Sequence, residues 1–127
     1  MFQQRLSEVQ EAYGRGDRIA LSRLATPEMA NRFNSELDHD ARQNAVNRIS
    51  NVTLLQGDLS EAWREPGAEY ATVAMRYSLI DVTLDKATNR VISGDAMTPQ
   101  EATELWTFVR DPGAKAEGWT LSAIQQA

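Results

Sequence analysis

The chain contains no cysteine, which excludes disulfide bonds, thiolate metal sites and cysteine nucleophiles together. Its single histidine, His39, stands between two aspartates after a helical pattern. Neighbouring side chains diverge around a helix and make a poor metal site, so we expect neither a metal nor a cofactor. No apolar run in the 127 residues approaches the roughly 18 residues that cross a bilayer. The segment itself is expected to be soluble.

Basic charge is also scarce, since the net charge is −5. Neutralising phosphates requires a basic face, so nucleic acid is not expected as a partner. The acidic excess lies in residues 49–127, because the seven arginines of residues 1–48 balance seven acids. An anionic membrane surface would therefore prefer the amino-terminal part, where the candidate contacts are Arg15, Arg18 and Arg23.

Three helical patterns open the chain. The first carries one apolar stripe, formed by Phe2, Leu6, Val9 and Tyr13. It ends at Gly14-Arg15-Gly16, after which Asp17 is placed to cap a short second helix. Thr26 is a suitable N-cap for a third helix and Pro27 a suitable first residue. The predicted buried stripe of this helix is Met29, Phe33 and Leu37.

After Asn44 the apolar pattern changes to a period of two, which is typical of strands. Residues 47–64 predict a long first strand, with a bulge or bend at Gly57-Asp58 that lets the sheet curl. A turn at residues 65–68 leads into a second strand over 69–84. Its alternating apolar residues predict one inward face, formed by Val73, Met75, Tyr77 and Leu79.

The last quarter of the chain predicts a β-hairpin. A short strand over 90–93 precedes it, and its own strands, 101–110 and 119–126, alternate large apolar with polar residues across Asp111-Pro112-Gly113. Helices first and antiparallel strands afterwards indicate a single α+β domain. We expect three helices packed on one face of a strongly curved sheet of about four strands.

The order of elements resembles the NTF2-like or cystatin-like fold, and particular motifs resemble the Tim44-like domain family. These motifs are Thr26-Pro27-Glu28-Met29, Asp58-Leu59-Ser60-Glu61-Ala62-Trp63, Glu69-Tyr70-Ala71-Thr72-Val73, Glu104-Leu105-Trp106-Thr107-Phe108-Val109-Arg110 and Trp119-Thr120-Leu121-Ser122-Ala123-Ile124-Gln125-Gln126. They are distributed from residue 26 to residue 126, and the resemblance is taken to cover residues 1–127 as one domain.

The resemblance implies a non-enzymatic domain at the periphery of a membrane. In mitochondria such a domain belongs to the protein import machinery of the inner membrane, and bacterial relatives are described as lipid-binding transport proteins. In those relatives a membrane-inserted segment and a linker precede the domain. The expectation is therefore a carboxy-terminal part of a longer protein, associated with the bacterial inner membrane and engaged in transport or protein translocation.

A curled sheet that closes imperfectly on helices leaves a concave apolar space for a lipid or another elongated ligand. The candidate residues of such a hydrophobic pocket are Phe33, Leu37, Val73, Met75, Tyr77, Trp106, Phe108, Trp119 and Leu121. The alternative is that the same residues simply fill the core. Arg76 and Arg110 are candidates for holding a lipid phosphate or carboxylate, unless they pair with cross-strand acids.

Two further functions stay open at the level of sequence. Some proteins of the NTF2-like fold, in which helices and a curved sheet form a cone, are small isomerases and hydrolases. The acid/base groups available here for such an activity would be Asp81, Tyr77, Tyr70 and Tyr13. A domain with a filled core would instead recruit a protein partner through its outer sheet face or helices. Open sheet edges also permit a homodimer.

Overall fold

In the computed structural model, which describes residues 2–112 and 118–126, three helices precede five strands. The elements are α1 (Phe2–Arg15), α2 (Arg18–Leu24), α3 (Pro27–Arg42), β1 (Ala45–Glu65), β2 (Ala68–Asp85), β3 (Val91–Gly94), β4 (Gln100–Arg110) and β5 (Thr120–Gln126). The predicted α+β class and element order are confirmed. The turn predicted at Asp111-Pro112-Gly113 lies partly outside the described residues.

The helix boundaries follow from local chemistry. Gly16, with φ of +67°, lets the chain leave α1. Asp17 accepts a hydrogen bond from the backbone N–H of Ala20 over 3.0 Å, and Thr26 Oγ1 accepts one from the N–H of Met29 over 3.4 Å. Both predicted N-caps are therefore present, with Pro27 in the first turn of α3.

The strands form one antiparallel sheet in the order β1-β2-β4-β5. β4 pairs with the first part of β2, and the short β3 pairs with its last part, from Val82 to Leu84. Gly94 ends β3 with φ of +83°, and a β-carbon there would overlap the carbonyl oxygen of Asp81. The sheet thus has five strands, one of them short.

The pairing of β1 with β2 is irregular at three places. The register shifts between Ser50 and Thr53, between Leu54 and Gln56, and between Leu59 and Glu61. Of the bulge or bend predicted at Gly57-Asp58, the bulge is wrong, because both residues pair regularly with β2. Gly57 instead makes room for a neighbour, since a β-carbon there would lie 3.1 Å from Leu54 Cδ2.

The core lies between the helices and one face of the sheet. Its buried helical residues include Leu6, Val9, Leu21, Met29 and Phe33. Its buried strand residues include Val73, Met75, Tyr77, Leu79, Trp106, Phe108 and Leu121, which confirms the predicted inward face of β2. The side chain of Phe2 lies outside the described part of the chain.

The carboxy-terminal strand also holds the helices. The backbone N–H of Thr26, between α2 and α3, donates to the carbonyl of Leu121 in β5 over 2.9 Å. Ala25 and Leu121 form a parallel bridge at the same place. Among residues 2–112 and 118–126, no helix has the length and apolar character that spanning a membrane requires.

Candidate functional site

An open cleft of about 490 Å³ lies at the turn end of the β1–β2 hairpin. Its lining residues come from β1, β2, β4 and the approach to β5, and none of them is helical. They are Leu59, Ala62, Trp63, Arg64, Glu69, Tyr70, Ala71, Phe108, Arg110 and Trp119. The cleft therefore lies beyond the helical layer, where the sheet projects past its cover.

Strand register explains why the cleft is apolar. Residues directly opposite on paired strands share a face of the sheet. Leu59 is opposite the core residue Val73, and Ala71 is opposite both Ala62 and Phe108. Leu59, Ala62, Ala71 and Phe108 therefore continue the core face into the cleft, where Leu59 is 61% exposed. Trp63 and Tyr70 also line the cleft, but they alternate with these residues and belong to the opposite face of the sheet.

Charged groups border one side of the apolar floor. The carboxylate of Glu69 lies 3.0 Å from Arg64 Nη2 and 3.5 Å from Arg110 Nε. The guanidinium of Arg110 also lies over the Trp119 ring, 4.4 Å from its centroid, which is a cation–π geometry. This arrangement offers guanidinium donors beside an apolar surface, which suits an amphipathic ligand with an anionic group.

Two aromatic rings stiffen the same end of the hairpin. Trp63 and Tyr70 are opposite one another in β1 and β2, and their rings stack with centroids 5.0 Å apart and planes at 5°. Such a pair contributes about 0.5–1.5 kcal/mol beyond its area burial. The projecting hairpin thus has its own side-chain support.

The structure places most of the predicted pocket residues in the core. Six of the nine are buried and line no part of this cleft, namely Phe33, Val73, Met75, Tyr77, Trp106 and Leu121. Leu37 packs half-buried against the core margin. Phe108 and Trp119 are the two that line the cleft. Packing against the helices accounts for the others, as in the core-filling alternative.

The two strand arginines predicted to hold a lipid headgroup, Arg76 and Arg110, have different surroundings. Arg110 lines the cleft, as a headgroup contact requires. Arg76 instead pairs with Glu101 over 2.8 Å on the opposite face of β2, where its neighbour is a cross-strand acid. Only Arg110 of these two belongs to the site.

The amino-terminal arginines are interleaved with acids. Arg18 pairs with Asp38 over 2.7 Å and Arg15 with Asp17 over 3.5 Å. Arg15 and Arg23 line one shallow groove together with two acids, Glu8 and Glu11. Any attraction of this surface for anions is therefore offset by neighbouring carboxylates.

A second opening, of about 320 Å³, lies between α1, α3 and the sheet and is mostly polar. Tyr13 and Asp81 both line it, and Asn47 donates to Asp81 over 2.6 Å. Burial and the nearby Glu36 carboxylate raise the pKa of Tyr13 well above its ordinary value. A phenol that stays protonated cannot serve as a general base at neutral pH.

The other tyrosines named as acid/base groups lie elsewhere. Burial, and then its hydrogen bond to Glu104, raise the pKa of Tyr77 far above the ordinary value. Tyr70 stacks on Trp63 at the apolar cleft. Within the described ranges, no three acidic or histidine side chains are arranged to hold a metal ion.

Sequence reasoning missed the hairpin half of the cleft, which comprises Leu59, Ala62, Trp63, Arg64, Glu69, Tyr70 and Ala71. A usable signal is present in the turn Pro66-Gly67, where Gly67 has φ of +82° as a type II turn requires. Counting outward from a two-residue loop places Glu65 opposite Ala68 and Trp63 opposite Tyr70, as observed.

Comparison with known proteins gives a family and a fold. The model of the family described as Tim44-like domain matches residues 1–126. The structure titled "Crystal structure of intermembrane space region of chloroplast protein ARC6" is similar with a TM-score of 0.57 and 11% identity, over 99% of this chain and 95% of that chain. A periplasmic fragment of TraM is similar with a TM-score of 0.49 and 15% identity, over 99% and 93%. No curated protein matches the sequence.

Proposed function

The chain belongs to the Tim44-like domain family, and from that membership we propose that it is a non-enzymatic binding domain of a membrane-associated protein or complex. It functions as the carboxy-terminal part of a longer transport protein at the bacterial inner membrane. Its ligand is an amphipathic molecule with an acyl chain, held in the cleft at the end of the β1–β2 hairpin.

The cleft itself is the observation that carries this proposal. Its volume of about 490 Å³ falls within the roughly 300–1,000 Å³ of ligand sites, and its floor is continuous with the core face. Each methylene buried there contributes about 0.8 kcal/mol. The bordering Arg110 supplies N–H donors for a carboxylate or phosphate, because a guanidinium has more donors than Glu69 engages.

The polar opening lined by Tyr13 and Asp81 supports an isomerase or hydrolase less well. Such an enzyme needs a base and an acid that converge on one substrate in a water-excluded site. Tyr13 and Asp81 line an opening that is mostly polar and not enclosed, so the water exclusion that such a site needs is missing. In the apolar cleft, the carboxylate of Glu69 is paired with Arg64 and Arg110 and the ring of Tyr70 is stacked on Trp63, so binding is the better proposal.

Native mass spectrometry of the purified domain, followed by organic extraction, tests the binding of an acyl ligand. We expect a lipid-sized mass to accompany the wild-type protein. The substitution Ala62→Trp places a large side chain on the cleft floor and should remove that mass. Ala96→Trp, at an exposed position outside the cleft, is the matched control and should retain it.

Either of two results would overturn the proposal. The first is that the wild-type domain and the control carry no lipid even after incubation with vesicles. The second is that Ala62→Trp carries as much lipid as the control. Circular dichroism of each variant establishes that the fold is intact before the masses are compared.

A further inference from the structure

The outer edge of β1 is open along much of its length. β1 lies at the end of the sheet and pairs only with β2 among the described residues. Near its middle, Gln3 of α1 takes the place of a strand: its Oε1 accepts from the N–H of Leu54 over 2.6 Å and its Nε2 donates to the carbonyl of Val52 over 3.4 Å. From residue 55 to residue 65, no strand of the described chain covers this edge.

The side chains along this open edge form two chemically different rows. Pairing with Ala74, Thr72, Tyr70 and Ala68 places one row on the outer face of the sheet, formed by Asp58, Glu61, Trp63 and Glu65. Pairing with Val73, Ala71 and Glu69 places the other on the inner face, formed by Leu59, Ala62 and Arg64. The outer row holds three acids and Trp63, while the residues of the inner row line the apolar cleft.

We propose that residues 55–65 of β1 bind an extended segment of a partner protein, which adds to the sheet as a sixth strand and alternates Lys or Arg with apolar residues. The added backbone would pair with the free N–H and carbonyl groups of the edge. Basic side chains of the segment would lie beside the acidic outer row. Its apolar side chains would lie beside Leu59, at the border of the cleft.

Charge decides between this partner and a second copy of the chain. Pairing of two identical edges brings the acidic rows of both copies together, and like charges across strands are destabilising. The row contains three acids, and the inner-row Arg64 is already paired with Glu69 over 3.0 Å. A strand with basic side chains on one face neutralises the three acids of the outer row, whereas the β1 strand of a second copy would repel them.

This inference goes beyond the acyl ligand of the proposed function, because it uses the backbone of β1 and the three outer-row acids, none of which lines the cleft. The probe is a short capped peptide of alternating lysine and valine, added to the purified domain. Calorimetry measures its affinity, and amide hydrogen exchange locates it. We expect protection of amides within residues 55–65, weaker binding at high salt, and no binding of a peptide that alternates glutamate and valine.

Charge reversal at Glu61→Lys and Glu65→Lys tests the outer row. This change replaces two attractive cross-strand charge pairs with repulsive ones. It should weaken the binding of the lysine–valine peptide by at least about tenfold. The control, Glu11→Lys with Glu28→Lys, makes the same change in net charge at exposed helical positions and should bind within about twofold of wild type. A neutral variant, Glu61→Gln with Glu65→Gln, gives an intermediate loss and covers the case in which the reversed variant fails to fold.

Protection outside residues 55–65, or equal losses in the edge variant and the control, would overturn the inference. So would a dimer in sedimentation whose amides 55–65 are protected without peptide, because the occupant would then be a second copy. The edge variant should still carry the acyl ligand in native mass spectrometry. Failure of peptide binding is thus separable from failure of the lipid proposal.

Discussion

The phenol of Tyr77 donates a hydrogen bond of 2.5 Å to the carboxylate of Glu104, which joins β2 to β4 at the edge of the core. The same carboxylate oxygen accepts from Trp106 Nε1 over 2.9 Å. Gln126 of β5 donates to the other oxygen over 3.1 Å. One carboxylate therefore links three neighbouring strands.

Removal of this hydroxyl should destabilise the sheet. In Tyr77→Phe, the partly buried Glu104 loses its shortest donor, and we expect the free energy of unfolding to fall by about 1–3 kcal/mol. Urea denaturation of Tyr77→Phe, Glu104→Gln and the double variant gives the coupling between the two groups. A coupling energy near zero would contradict the role assigned to this hydrogen bond.

Alkaline pH should unfold the domain through two of its tyrosines. Burial is the main cause that raises the pKa values of Tyr13 and Tyr77, so their neutral forms are favoured in the folded state. Their contribution to stability is complete below the unfolded value of 10.0 and is lost progressively as the pH rises above it.

Tyrosinate absorbance, followed with circular dichroism along a pH titration, measures this effect. We expect the phenolates of Tyr13 and Tyr77 to form together with unfolding. The Tyr77→Phe variant should lose stability less steeply above pH 10.0. Ionisation of both phenols in a protein that remains folded would be the contrary result.

Leu121 should behave as a core residue. It is fully buried, so Leu121→Ala leaves a cavity and should reduce the free energy of unfolding by about 2–5 kcal/mol. Leu59→Ala removes the same atoms from an exposed position on the same sheet and should change it by about 0.5 kcal/mol or less. Similar effects of the two substitutions in thermal or urea unfolding would show that burial at Leu121 is incomplete.

The start of α3 should depend on the hydroxyl of Thr26. Thr26→Ala leaves the N–H of Met29 without its capping acceptor and should reduce stability by about 0.5–2 kcal/mol. Thr26→Ser keeps the acceptor and should stay close to wild type. Thr53→Ala, at an exposed strand position, controls for loss of a threonine. Equal stability of Thr26→Ala and Thr26→Ser in urea would rule out a capping role.

The membrane contact predicted for Arg15, Arg18 and Arg23 is tested by replacing all three with Gln. Each basic residue near an anionic surface contributes at most about 1 kcal/mol, and two of these already have acidic partners. We expect binding to anionic vesicles to weaken by about tenfold at most and its salt dependence to flatten, with the fold intact. Gln at Arg42, Arg48 and Arg90 is the matched control. Unchanged vesicle binding by the first variant would remove the surface from consideration.

Local chemistry made the helices predictable. The caps at Asp17 and Thr26 are recognised by residues within one turn, and Gly16 ends α1 by its own backbone preference. The same reasoning placed an irregularity of β1 at Gly57, whereas the first observed one lies between Ser50 and Thr53. Gly57 was taken to mark a bulge or bend, but it allows close packing against Leu54. Asn51, with φ of +54°, lies at the observed irregularity and was the better signal, since asparagine tolerates this conformation.

The alternation of apolar and polar residues identified the apolar face of the sheet. It did not identify where along that face the covering helices end. Trp106 and Phe108 have the same period and the same chemistry, yet only Phe108 lines the cleft. The difference depends on how far the helices reach along the sheet. Helix position is a property of the packed molecule, which the spacing of residues in one strand does not contain.

The hydrogen bond from the Thr26 N–H to the Leu121 carbonyl has a consequence for folding during synthesis, because it joins the helical part of the chain to a strand that follows about 95 residues later. A ribosome delivers the amino end first, so α1, α2 and α3 leave it long before the strand that receives them. Until residue 121 has emerged, the apolar stripes of the helices lack part of their final cover, and the β1–β2 hairpin is the longest pairing available to the nascent chain. Closure of the domain therefore waits until β5 has emerged, well after the helices that it contacts.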